Sequence, residues 1–151
     1  MNNRKIWFYG SLITMLIILL LLVTGSDILT ISMNDKNTLP LGTLITWVGI
    51  ISLPVSIYWG SQEFRKPTNL FYKCLSVILL IFFVLAILWV PICYWLAGNF
   101  SFTFTEKETF RGGQLAMKWF WRFSYAIPIG LLALLVTFWM SLLIQRDNYL
   151  E

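Results

Sequence analysis

The residues of this chain that could do acid–base, nucleophilic or metal chemistry are few: seven carboxylates, two cysteines and no histidine. Asp27, Asp35, Glu106 and Glu108 fall in two segments between long apolar runs. Without histidine, they lack the commonest partner for a general base and the commonest metal ligand. Cys74 and Cys93 lie 19 residues apart in one apolar run. On a helix that separation is about 28 Å, whereas a disulfide needs Cα atoms within roughly 7 Å. The two cysteines therefore read as small buried hydrophobes. No cysteine cluster, phosphate loop or glycine-rich nucleotide fingerprint accompanies them. The expectation is a chain with no catalytic set, no cofactor and no metal site.

What the remaining residues must build follows from composition. The chain is 58% apolar and 12% charged, against roughly 25% charged residues in a soluble domain. Too few charges are present to cover a water-soluble surface, so the expected solvent is lipid. Four runs approach the length of about 20 apolar residues that a membrane helix needs: 6–24, 41–59, 75–96 and 119–144. The first has a basic start at Arg4 and Lys5 and a small-residue end at Val23-Thr24-Gly25, as a secretory signal would. It is long for a signal core and is read as an uncleaved span. The fold expected is all-α: one domain, a bundle of four membrane helices.

Four spans put both termini on one side, with Arg4, Lys5, Arg65, Lys66, Lys73 and Arg146. The other side holds Lys36, Lys107, Arg111, Lys118 and Arg122. Subtracting Glu63, Asp147 and Glu151 from the first six leaves +3, and subtracting the four carboxylates named above from the other five leaves +1. Basic residues favour the cytoplasm and the first helix usually dominates, so both termini are expected there, in a bacterial inner membrane. The overall charge of +4 is accounted for by topology, and no direct contact with nucleic acid is expected. Trp7, Tyr9, Tyr58, Trp59, Tyr94, Trp95, Trp119 and Trp121 mark span ends as interfacial anchors. Trp47, Trp89 and Trp139 lie deeper, where each indole N–H needs an acceptor.

Small residues recur at steps of three or four on two spans. The second has Gly42, Thr46, Gly49, Ser52, Ser56 and Gly60; the fourth has Ala126, Gly130, Ala133, Thr137 and Ser141. Such stripes let backbones approach in lipid, so these two spans are expected to supply most close contacts, within the bundle or between subunits of a homo-oligomer. No ionisable residue falls at mid-membrane, which argues against a proton pump or ion-coupled transporter.

Two outer segments carry a β pattern. Residues 27–33 are rich in β-branched types, and Phe100, Phe102 and Phe104 alternate with Ser101, Thr103 and Thr105 ahead of Arg111. The expectation is a small β-like cap, which either covers helix ends or docks an external ligand. The inner segment around Glu63, Arg65 and Lys66, with Lys73 and Arg146, is the candidate docking surface for a cytoplasmic protein.

In size, four-span layout, short termini and little soluble mass, the chain resembles the membrane subunit of the Kiwa anti-phage defence system. Colicin-type immunity proteins share much of that outline. The resemblance to Kiwa implies an inner-membrane homo-oligomer that senses phage at the envelope and holds a DNA-binding partner protein on the cytoplasmic side. Four readings stand: a non-enzymatic sensor or anchor subunit, a small homo-oligomeric pore, an immunity protein against a pore-forming toxin and, weakest for want of a base or metal cluster beside the outer carboxylates, a membrane enzyme acting on lipid.

Overall fold

A computed structural model of the chain describes residues 3–31, 40–98 and 112–147, with side chains through 145. The described residues form four long helices, α1 (Asn3–Thr24), α2 (Leu41–Gly60), α3 (Leu70–Leu96) and α4 (Gly113–Asp147), and one 3-10 turn, Asp27–Thr30. All four helices are long and apolar enough to cross a membrane. Helices suit that solvent because each satisfies its own backbone donors and acceptors. Each helix begins or ends beyond the apolar run from which it was read. α3 gains a turn from Asn69, whose Oδ1 accepts the Tyr72 amide at 2.9 Å. α4 begins six residues before Trp119, as Gly112 N donates to Ala97 O at 2.9 Å and ties its start to the end of α3.

The β-like cap is not supported. Residues 27–30 curl into the 3-10 turn, where the Thr30 hydroxyl donates to Asp27 O at 2.8 Å. A Thr side chain that bonds its own backbone competes with strand pairing. Among the described residues there is no strand. Phe100, Phe102, Phe104 and Arg111 lie outside the described residues. The end of α1, with its resemblance to a cleavage site, is a helix stop. Gly25 takes φ +61, and Gly25 N and Ser26 N donate to Leu22 O and Leu21 O at 3.3 and 3.2 Å. These are the paired bonds of a glycine C-cap.

The helices pack as two hairpins, α1 on α2 and α3 on α4, joined mainly through α2. α2, α3 and α4 share the core, with Ile50, Ile57, Leu79, Trp89, Ile127 and Leu131 in one cluster. α1 lies outside it, and Ile18 is its one buried residue. The small-residue stripes divide accordingly. On α2, a Cβ at Gly49 would lie 2.8 Å from Ile18 Cγ2, and one at Gly60 would lie 2.9 Å from Phe8 Cε2. These two glycines seat α1, while a Cβ at Gly42 would meet Leu29 O at 2.6 Å. Thr46 is half-buried, and Ser52 and Ser56 are buried with their hydroxyls bonded to Val48 O and Leu53 O. On α4, Gly130 receives the Phe82 ring, and Ser141 is half-buried beside Tyr72. Ala126, Ala133 and Thr137 face outward. α2 and α4 touch each other less than either touches its hairpin partner.

Two of the three deep indoles join helices. Trp47 Nε1 donates to Ala86 O at 3.0 Å, and Trp89 Nε1 donates to Phe120 O at 3.2 Å. Trp89 is 0% exposed, whereas Trp139 is 64% exposed on the outer face of α4. Of the two cysteines only Cys93 is buried; Cys74 faces outward.

Filling the Gly130 notch tests this packing. Gly130→Leu, which must displace Phe82, should lower the thermal stability of the detergent-solubilised protein by about 1–3 kcal/mol. Val136→Leu, at a position 55% exposed on the outward face, should stay within about 0.5 kcal/mol. Equal losses from both would contradict the assignment of faces.

Candidate functional site

The end of the molecule that carries both termini is built around the nine residues 61–69 between α2 and α3. This segment holds seven polar or charged residues around a single large apolar one, Phe64. Such a composition predicts a solvated loop, yet five of the seven polar side chains, those of Ser61, Glu63, Arg65, Thr68 and Asn69, are bonded within the protein. Arg4 reaches across from α1, its Nε donating to Trp59 O and its Nη2 to Gly60 O, each at 3.4 Å. A cation there complements the negative end of α2 and its last free carbonyls.

The chain then turns tightly. Arg65 N and Lys66 N donate to Gln62 O at 3.0 and 2.8 Å, and Glu63 N donates to Ser61 Oγ at 3.3 Å. Arg65 folds back, its Nε donating to Ser61 O at 3.2 Å and its guanidinium lying 5.7 Å from the centre of the Trp59 ring. Glu63 closes the other half of the loop: its Oε2 accepts from Thr68 N at 3.2 Å and from Thr68 Oγ1 at 2.9 Å.

Phe64 holds this loop to the bundle. It is 3% exposed and its ring lies 4.9 Å from Phe138 of α4, with Tyr72 of α3 5.8 Å from the same ring. Tyr72 OH donates to Gln145 Oε1 at 3.1 Å, and Ser141 Oγ, which donates to Phe138 O at 2.7 Å, lies 3.4 Å from Tyr72 OH. The loop, the start of α3 and the end of α4 therefore form one packed unit.

The five residues read from sequence as a docking surface separate into two kinds. Glu63 and Arg65 are engaged in building the loop. Lys66 and Lys73 are exposed. The side chain of Arg146 lies outside the described residues. Sequence reasoning missed Phe64, Arg4 and the Tyr72–Gln145 pair. A single large apolar residue within a polar loop was the available sign of the first.

Beneath the loop, a groove of about 480 Å³ runs between α2 and α3, with Pro54, Val55, Tyr58, Leu80 and Phe83 in its walls and Lys73 at its mouth. A second groove of about 460 Å³, between α1 and α2, has Gly10, Ser11, Thr14 and Val48 in its lining. Its hydroxyls are turned back on the backbone, Ser11 to Trp7 O at 2.7 Å and Thr14 to Gly10 O at 2.8 Å. Pro54, Trp89, Ile127 and Leu131 fill the centre of the helix packing and are less than 2% exposed. Among the described residues, no three His, Cys, Asp or Glu side chains come together as a metal site.

Comparison with protein-family models, with curated proteins and with solved structures finds no match. The chemistry of the site itself carries the functional reading.

Phe64→Ala should free the loop. Loss of a buried Phe costs about 3–5 kcal/mol in a packed core, so trypsin cleavage after Arg65 in the detergent-solubilised protein should speed up at least tenfold. A cleavage rate equal to that of the unmutated chain would count against the plug.

Proposed function

We propose that this chain is a non-enzymatic anchor and sensor subunit of a bacterial inner-membrane defence system, holding a cytoplasmic effector protein at the end that carries both termini. The observation that carries the proposal is the 61–69 loop. Side-chain hydrogen bonds, a buried aromatic and a cation–π contact fix its shape, while Lys66 remains exposed. A connection that only had to join two helices would need none of this internal bonding. A rigid, basic surface is what an acidic patch on a soluble partner recognises, since little ordering entropy is left to lose on binding. Outline resemblance to the Kiwa membrane subunit supports the defence context.

Orientation follows from the basic residues at that end. Arg4 and Lys5 flank the first span, and Lys66 and Lys73 flank the next connection; such residues are enriched on the cytoplasmic side. The outward small-residue face of α4, Ala126, Ala133 and Thr137, supports assembly with further copies, because small side chains permit close helix approach in lipid. The filled centre of the packed helices gives no support to a pore through a single chain.

A fluorescent protein that folds only in the cytoplasm should glow when fused after Glu151 and stay dark when inserted at Lys107. The reverse pattern would overturn the orientation.

Tagged protein purified in mild detergent from cells carrying its neighbouring genes should bring down one soluble protein in fixed ratio. Lys66→Glu should reduce that yield at least fivefold while membrane insertion is unchanged. Recovery of the chain without a partner, together with protection of cells against one pore-forming toxin, would replace this reading with the immunity reading.

A further inference from the structure

We infer that the groove between α2 and α3 is a binding site for one anionic phospholipid, with its phosphate at Lys73 and an acyl chain along Val55, Val77, Leu80 and Phe83. The lipid site needs only that the helices cross a bilayer, and it is independent of any cytoplasmic partner. The groove opens sideways rather than toward water, since Val77 and Leu80 on its rim are 51% and 59% exposed on the outward face of α3. In a spanning helix that face meets acyl chains, so a hydrocarbon tail is the occupant at hand.

The dimensions agree. Lys73 is the fourth residue of α3, and Phe83 lies ten residues deeper. Ten residues of helix rise about 15 Å, half of a hydrocarbon core of roughly 30 Å. The groove thus runs from headgroup level to the middle of the bilayer, the reach of one leaflet.

Charge decides the class of lipid. Lys73 is the charged residue in the lining. Trp59, also in the lining, carries Arg65 over its ring. The nearby carboxylate, Glu63, is turned to Thr68. A phosphate with net negative charge is favoured there over a zwitterionic headgroup, and each basic residue near an anionic membrane surface contributes about 1 kcal/mol. The groove between α1 and α2 has similar volume but no charged residue in its lining, and so lacks the headgroup partner.

The full-length protein in mild detergent would be incubated with equimolar phosphatidylglycerol and phosphatidylcholine, and retained lipid counted by native mass spectrometry. One phosphatidylglycerol should be retained per chain, in about fivefold preference over phosphatidylcholine. Lys73→Gln should bring that preference to within twofold. Lys5→Gln, which removes an exposed cation at the same end outside the groove, should leave it unchanged. Leu80→Trp, which fills the groove from its exposed rim, should lose both lipids. Equal retention of the two lipids by the unmutated chain, or an undiminished preference in Lys73→Gln, would overturn the headgroup assignment. Retention of lipid by Leu80→Trp would overturn the groove.

Discussion

In hydrocarbon every polar group must find a partner inside the protein, and this requirement governs the whole arrangement. Among the described residues no buried side-chain nitrogen or oxygen lacks one. Most are satisfied within their own helix. The hydroxyls of Ser11, Thr14, Thr24, Ser52, Ser56, Ser76, Ser124 and Thr137 all donate to carbonyls three or four residues back. Polarity handled locally contributes little to helix association. That leaves association to shape and to the few bonds that cross between helices. Trp47 joins α2 to α3 and Trp89 joins α3 to α4. Each does so with an indole whose apolar body packs while its N–H is satisfied.

Shape does the rest, unequally. α2 is the central helix because its smooth face seats α1 while its bulky face enters the common core. Gly49 and Gly60 accept α1, and Ile50, Pro54 and Ile57 enter the common core. Among the described residues α1, almost entirely apolar around its circumference, has α2 as its one substantial neighbour and leaves most of its surface exposed. This explains why it carries so many exposed Leu and Ile side chains, which a soluble protein could not tolerate in one patch.

Composition and run length made the four helices legible, because the bilayer demands a long uncharged stretch and the chain supplies four. Partner choice was not legible. Equal-looking stripes on the second and fourth spans turned out to have different neighbours, since Phe82 enters Gly130 while Ala126 and Ala133 point away. A stripe records that close approach is possible and not which helix approaches. At the basic loop, charge drew attention to the right segment for an incomplete reason. Glu63 and Arg65 look like solvated charges in the sequence. Their roles as acceptor for Thr68 and cover for Trp59 depend on a turn that no periodicity announces. Segment 27–30 misled because β-branched residues favour strands only where a neighbouring strand exists to pair with, and there the Thr30 hydroxyl claims Asp27 O instead.

Phe64 reaches past α2, the helix from which its loop emerges, and seats against α4, near the end of the described chain. The loop and the last turns of α4 therefore move as one piece. Through that ring the middle of the sequence is fastened to Phe138, and through Tyr72 to Gln145. A substitution at Phe64 is therefore expected to reach the last turns of α4 as well as its own loop.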